Sequence, residues 1–158
     1  MPAPTLEVRG FSHVCINVSD VERSLAFYRD VLGLRVIFDV ALEGHGMEAA
    51  TGEAGAHGRM VGCLVPGSRV TIELLGFGHR AAAPRRSPPA PFGYSNLALA
   101  VADLGAAWAA LETRGARPTP PVEVGGVRMF FVRDPDGTPL ELIEFPGGAL
   151  SSAEHNGA

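Results

Sequence analysis

Four side chains stand at spacings that would make a chelating site: His13, Glu73, Asn96 and Glu141. They arise as two matched pairs from an internal repeat. FSHVCINVSD, from Phe11, lies over YSNLALAVAD, from Tyr94, at a constant offset of 83, so His13 falls on Asn96, Val18 on Val101 and Asp20 on Asp103. IELLGF, residues 72–77, lies over LELIEF, residues 140–145, so Glu73 falls on Glu141 and Phe77 on Phe145. One imidazole, one carboxamide and two carboxylates therefore occupy duplicated positions. Burying one carboxylate is expensive and burying two is worse. A divalent cation would neutralise both charges and satisfy their oxygens.

Strands must carry these groups. Val14, Ile16 and Val18 alternate with His13, Cys15 and Asn17, the period of a strand with two unlike faces. The apolar set faces a helix, which leaves His13 and Cys15 on the cavity side. The same count sets Val70, Ile72 and Leu74 against Glu73. It sets Leu97, Leu99 and Val101 against Asn96, and Leu140 and Leu142 against Glu141. Glu144 then falls outside, solvated. A helix follows each opening strand. Asp20 caps the stripe Val21, Leu25, Tyr28 and Leu32, which Gly33 ends. Asp103 caps the stripe Leu104, Trp108 and Leu111, which Gly115 ends.

Further strand-like runs cover residues 35–40, 60–65 and 69–75 in the first half, and 128–133 and 139–145 in the second, with a weaker one near 117–124. Asp134 to Gly137, DPDG, is a turn signal. Residues 44–58, rich in Gly and Ala, read as a mobile loop with room for a short strand, and His45 and Glu48 on it could close over the cavity. His57, His79 and His155 read as loop or tail residues. Phe38, Met47, Met60, Met129 and Phe131 read as core or pocket wall. The domain reading is a first βαβββ module over residues 9–77, a Pro/Arg-rich linker over 78–91, a second βαβββ module over 92–146 and a flexible tail over 147–158. The expected fold is α+β: two paired βαβββ modules forming a curved mixed sheet around a cavity, with the helices outside.

Composition bounds the rest. A length of 158 residues suits one compact domain or two small modules sharing a core, and 46% hydrophobic content excludes wholesale disorder. All 13 basic residues are arginine, which excludes a lysine Schiff base, a lysine general base and a P-loop. A net charge of −4 argues against nucleic acid as a partner, and Arg80, Arg85 and Arg86 read as a solvated linker. No apolar run approaches a membrane span, and MPAPTLEVRG has no signal-peptide core. Cys15 and Cys63 read as reduced thiols of a cytoplasmic protein.

SHVCINVSDVERSLAFYRDVLGL, VTIELLGF, YSNLALAVADL and DPDGTPLELIEF together resemble the vicinal oxygen chelate superfamily. That group includes glyoxalase I, methylmalonyl-CoA epimerase, extradiol dioxygenases and the bleomycin- and fosfomycin-resistance proteins. The resemblance spans nearly all of residues 10–146. It implies His, Glu, His and Glu as metal ligands, carried here by His13, Glu73, Asn96 and Glu141. Asn96 departs from the pattern. Its carbonyl oxygen is a weaker ligand for a transition metal than imidazole. The resemblance implies a divalent ion (Mg, Mn, Fe, Co, Ni or Zn) and leaves open whether three ligands or four hold it.

Bacterial glyoxalase I relatives carry an Arg four residues after the first ligand and an Asn four after the second, both serving glutathione. Asn17 and Phe77 stand there instead. Extradiol dioxygenases need two His, and Asn96 removes one. Epimerases of the group use a further carboxylate as base, and Glu48 falls near that place.

The resulting expectation is a metal-dependent isomerase, epimerase or lyase, with oxygenation open if the ion is Fe²⁺. The metal stabilises an enolate or oxyanion of a small, partly apolar substrate. Glu48 or Glu141 moves the proton. The rival reading is a metal-free protein that sequesters an antibiotic or other small molecule. A homodimer is the expected assembly.

Overall fold

The computed structural model describes residues 10–78 and 96–157. Nearly all of the expected linker lies outside them, as do His79, Tyr94 and Ser95. The first half runs β1 (His13–Asn17), α1 (Val21–Leu25), β2 (Arg35–Leu42), α2 (His45–Thr51), β3 (Gly58–Leu64) and β4 (Thr71–Phe77). The second runs β5 (Leu97–Ala100), α3 (Leu104–Thr113), β6 (Val122–Val124), β7 (Val127–Arg133) and β8 (Pro139–Glu144). A single turn, α4 (Ser152–His155), follows in the segment read as a tail.

Each half makes a four-stranded mixed sheet with the same topology. The orders are β1-β4-β3-β2 and β5-β8-β7-β6, with the first pair parallel and the others antiparallel. The α+β reading with two βαβββ repeats is the observed architecture. In the first sheet Ile16, Val61, Cys63, Ile72 and Leu74 bury one face. In the second, Phe130, Val132, Leu140 and Leu142 do so, and α3 packs on β7 and β8 through Leu104 and Leu111. Full burial of a side chain of this size contributes about 1.5–3 kcal/mol.

Helix ends follow the sequence signals where these are local. Asp103 caps α3, its Oδ1 accepting from the Ala106 amide at 2.8 Å. Gly33 ends the first helical segment at φ +79°, a conformation glycine adopts freely. Three expectations change. The first helix is α-helical only over Val21–Leu25 and continues as a π-turn over Ala26–Val31. The loop at 44–58 contains α2, because Gly44 and Gly52, both at positive φ, bracket a run with helix-forming Met47, Glu48 and Ala49. Glu144 is not simply solvated: its Oε2 accepts from the Leu104 amide at 2.6 Å, satisfying a first-turn donor of α3.

The chain divides into two compact units that do not follow sequence order. Residues 22–33 belong with the second unit, and residues 34–78 with the first. Within the second unit the Tyr28 hydroxyl donates to buried Asp134 Oδ2 at 3.1 Å. Arg23 pairs with Asp136 at 2.6 Å, and Arg114 donates to the Val31 carbonyl at 2.6 Å. Periodicity gave the buried stripe of this helix but not its partner. Asp134 also explains the DPDG turn: its Oδ1 accepts from the amides of Asp136 and Thr138.

Candidate functional site

Backbone register fixes the geometry of the candidate donors. In the first sheet Glu73 on β4 lies beside Cys15 on β1, two residues past His13. In the second, Glu141 on β8 lies beside Ala98 on β5, two residues past Asn96. The two carboxylates and their partners thus occupy equivalent places on equivalent parallel strand pairs.

The pairs differ in how they are held. Glu73 is buried, only 9% exposed, and Thr71 Oγ1 donates to its Oε1 at 3.2 Å. His13 Nδ1 is 3.0 Å from Ser12 Oγ, which leaves Nε2 toward Glu73, 3.8 Å from Oε2. That distance is too long for a hydrogen bond. Cys15 shares this face, and burial followed by the Glu73 charge pushes its thiol above the ordinary range. It is therefore protonated at neutral pH, in keeping with a cavity-lining rather than nucleophilic role. In the second unit Asn96 Nδ2 donates directly to Glu141 Oε2 at 2.6 Å. Each pair supplies two donors, and no group of three or more His, Cys, Asp or Glu is clustered among the described residues.

An aromatic ring stands beside each carboxylate by a different route. Phe131 on β7 is the register partner of Glu141. The partner of Glu73 is Gly62, and the Phe38 ring fills the space a side chain would take there, 2.2 Å from an ideal Cβ.

Glu48 sits on α2, not on a strand. Its Oε1 accepts from the Gly55 amide at 2.7 Å, and its Oε2 lies 3.8 Å from His45 Nδ1. His57 Nδ1 lies 3.1 Å from the Gly55 carbonyl oxygen, and the His155 ring packs near Phe145. One feature escaped the sequence reading. The second unit contains a cleft of about 880 Å³ that Asn96 and Phe131 share with four arginines. Those arginines are scattered from position 23 to position 133, so no local pattern announces them.

Residues 10–142 match the family described as the Glyoxalase/Bleomycin resistance protein/Dioxygenase superfamily. The chain belongs to this superfamily. An uncharacterized Escherichia coli protein, YaeR, is 33% identical over 88% of this chain and 98% of its own length. A lactoylglutathione lyase of Haemophilus influenzae is 28% identical over 84% of this chain and 90% of its own. Among solved structures, a glyoxalase family protein of Bacillus cereus superposes with a TM-score of 0.78 at 20% identity, covering 90% of this chain and 98% of that one. At that identity the superposition speaks for the superfamily fold alone. One fold hosts many reactions, so the activity has to be argued from the donor pairs.

Proposed function

We propose that this chain is a metal-dependent enzyme of the superfamily that stabilises an enolate or oxyanion of a small, partly apolar substrate. The observation that carries the reading is the register: His13 with Glu73, and Asn96 with Glu141, repeat one placement on two sheets. The donors fit a divalent ion. His13 Nε2 and Glu73 Oε2 lie 3.8 Å apart and would have to close by roughly half an ångström for both to bind one first-row ion at about 2.0–2.2 Å in tetrahedral geometry. Asn96 would serve through Oδ1, the atom opposite the nitrogen that now faces Glu141. Each pair would contribute up to two donors and one negative charge.

Bound there, a divalent ion supplies Lewis acidity to an oxygen of the substrate. The chain's own groups do the rest. Thr71 orients Glu73, and Ser12 orients the His13 ring. Glu48 is the proton carrier in this reading; one of its oxygens accepts from the Gly55 amide and the other lies 3.8 Å from His45 Nδ1. Glu141 is the alternative carrier. The reaction class is isomerisation, epimerisation or lyase chemistry, in a cytoplasmic homodimer.

A second reading has one observation in its favour. The Asn96 amide already donates to Glu141 Oε2 without a metal, as a metal-free small-molecule-binding protein would require. Metal analysis by plasma mass spectrometry decides between them, on protein purified without chelators or a nickel column. We expect about one divalent ion per chain, lost in both Glu73→Gln and Glu141→Gln together with turnover. Glu48→Gln should keep the metal and lose turnover. Protein that stays metal-free after dialysis against Mn²⁺, Co²⁺, Ni²⁺ and Zn²⁺ would overturn the enzyme reading.

A further inference from the structure

We propose that the cleft of the second unit binds the anionic end of a partly apolar organic acid. This names the substrate class of the proposed site and rests on that reading only for calling the occupant a substrate. The cleft encloses about 880 Å³, enough for a drug-sized molecule. Its walls combine Phe27 and Phe131 with Arg23, Arg114, Arg117 and Arg133. Four guanidinium groups on one cleft are notable in a chain of net charge −4.

The carboxylates nearby do not neutralise them all. Asp134 is buried and accepts from Tyr28 and from two backbone amides. Asp30, also on the wall, is held by both Nε and an Nη of Arg29, which lies outside the lining. Arg23 is paired with Asp136. Arg114 spends one N–H on the neutral Val31 carbonyl and keeps its charge. Arg117 is exposed and makes no hydrogen bond or ion pair to any described residue. Arg133 donates to the Gly137 carbonyl.

An arginine with no carboxylate, beside aromatic walls, selects a ligand with a carboxylate, sulfonate or phosphate on an apolar body. Asn96, shared with the donor pair, places the other end of such a ligand next to the Glu141 carboxylate.

Two dyes that share one skeleton isolate the charge. 8-Anilinonaphthalene-1-sulfonate carries a sulfonate, and N-phenyl-1-naphthylamine does not. Both are titrated by fluorescence into the full chain after chelator treatment, so metal occupancy plays no part. The sulfonate should bind about tenfold more tightly than the uncharged dye. Arg117→Ala should erase most of that preference while leaving the uncharged dye unaffected, and Arg117→Lys should keep part of it. Phe131→Ala should weaken both dyes. Arg35→Ala, an arginine on β2 outside the cleft, should change neither. Thermal melting confirms that each variant is folded.

Equal affinity of the two dyes for the unaltered chain, or a sulfonate affinity unmoved in Arg117→Ala, would overturn the proposal. A metal-bearing chain with no sulfonate preference would leave the enzyme reading standing with an uncharged substrate. A sulfonate preference in a chain that never takes metal would leave the cleft standing and sink the enzyme reading.

Discussion

The two sheets place a carboxylate in the same register and then surround it with different chemistry. In the first unit Glu73 is buried, steadied by Thr71, and faces an imidazole nitrogen across a gap that no hydrogen bond closes. In the second, Glu141 is only partly buried and is tied to an amide by a short hydrogen bond. The aromatic neighbour is borrowed from β2 through Gly62 in one case and supplied by β7 itself in the other. Duplicated backbone therefore keeps position, while the side chains differ. The first pair leaves a gap that no hydrogen bond closes, and the second is joined by one.

The strongest way to break this asymmetry is to remove it. Asn96→His would give both halves an imidazole, and we expect metal affinity to rise on the order of tenfold, read by competition with a chromophoric chelator. His13→Asn should do the reverse and leave the chain without measurable first-row metal. No change in either variant would sever affinity from the paired residues.

Gly62→Ala tests the borrowed ring. A Cβ there meets Phe38, so the ring must move, at a cost of about 1–3 kcal/mol. The melting temperature should fall by roughly 2–10 °C. An unchanged melt would show that the ring has room to spare.

Tyr28→Phe probes the helix that joins the second unit. It removes the donor to buried Asp134 and should cost about 1–2 kcal/mol in denaturant unfolding. A loss of much more would mean that the hydroxyl holds the whole DPDG turn.

The smallest effect lies on the outer hairpin of the first sheet. Arg59 grips Asp39 through two hydrogen bonds and holds its carboxyl below the usual carboxylate range. The folded pKa is lower than the unfolded one, so the pair stabilises at neutral pH. That contribution fades as pH falls through the folded value. Both groups are exposed and screened, so Asp39→Asn should lower stability slightly at pH 7 and not at pH 2. In the second sheet Arg128 instead turns to Glu144, and Glu123→Gln should have no comparable effect.

The repeat, the strand faces and the caps were legible because each depends on residues close in sequence. His13 with Asn96, and Glu73 with Glu141, were picked out by period two and two separate repeat offsets. What stayed hidden depends on distant partners. Periodicity shows that Leu25 and Tyr28 are buried but not which sheet buries them. Alternation sends Glu144 away from Glu141 but does not show the free amide of Leu104 waiting there. The short helix at His45–Thr51 was masked by its flanking glycines, which read as loop. The arginine cleft draws on four separated segments, and no window of sequence contains it.

The allegiance of residues 22–33 has a consequence for synthesis. Tyr28 and its acceptor are 106 positions apart. A ribosome adding about 5–20 residues per second delivers Asp134 roughly 5–20 s after Tyr28. For that interval residues 22–33 wait without the acceptor they meet in the finished chain. The second unit is complete only when both ends of the chain have been made.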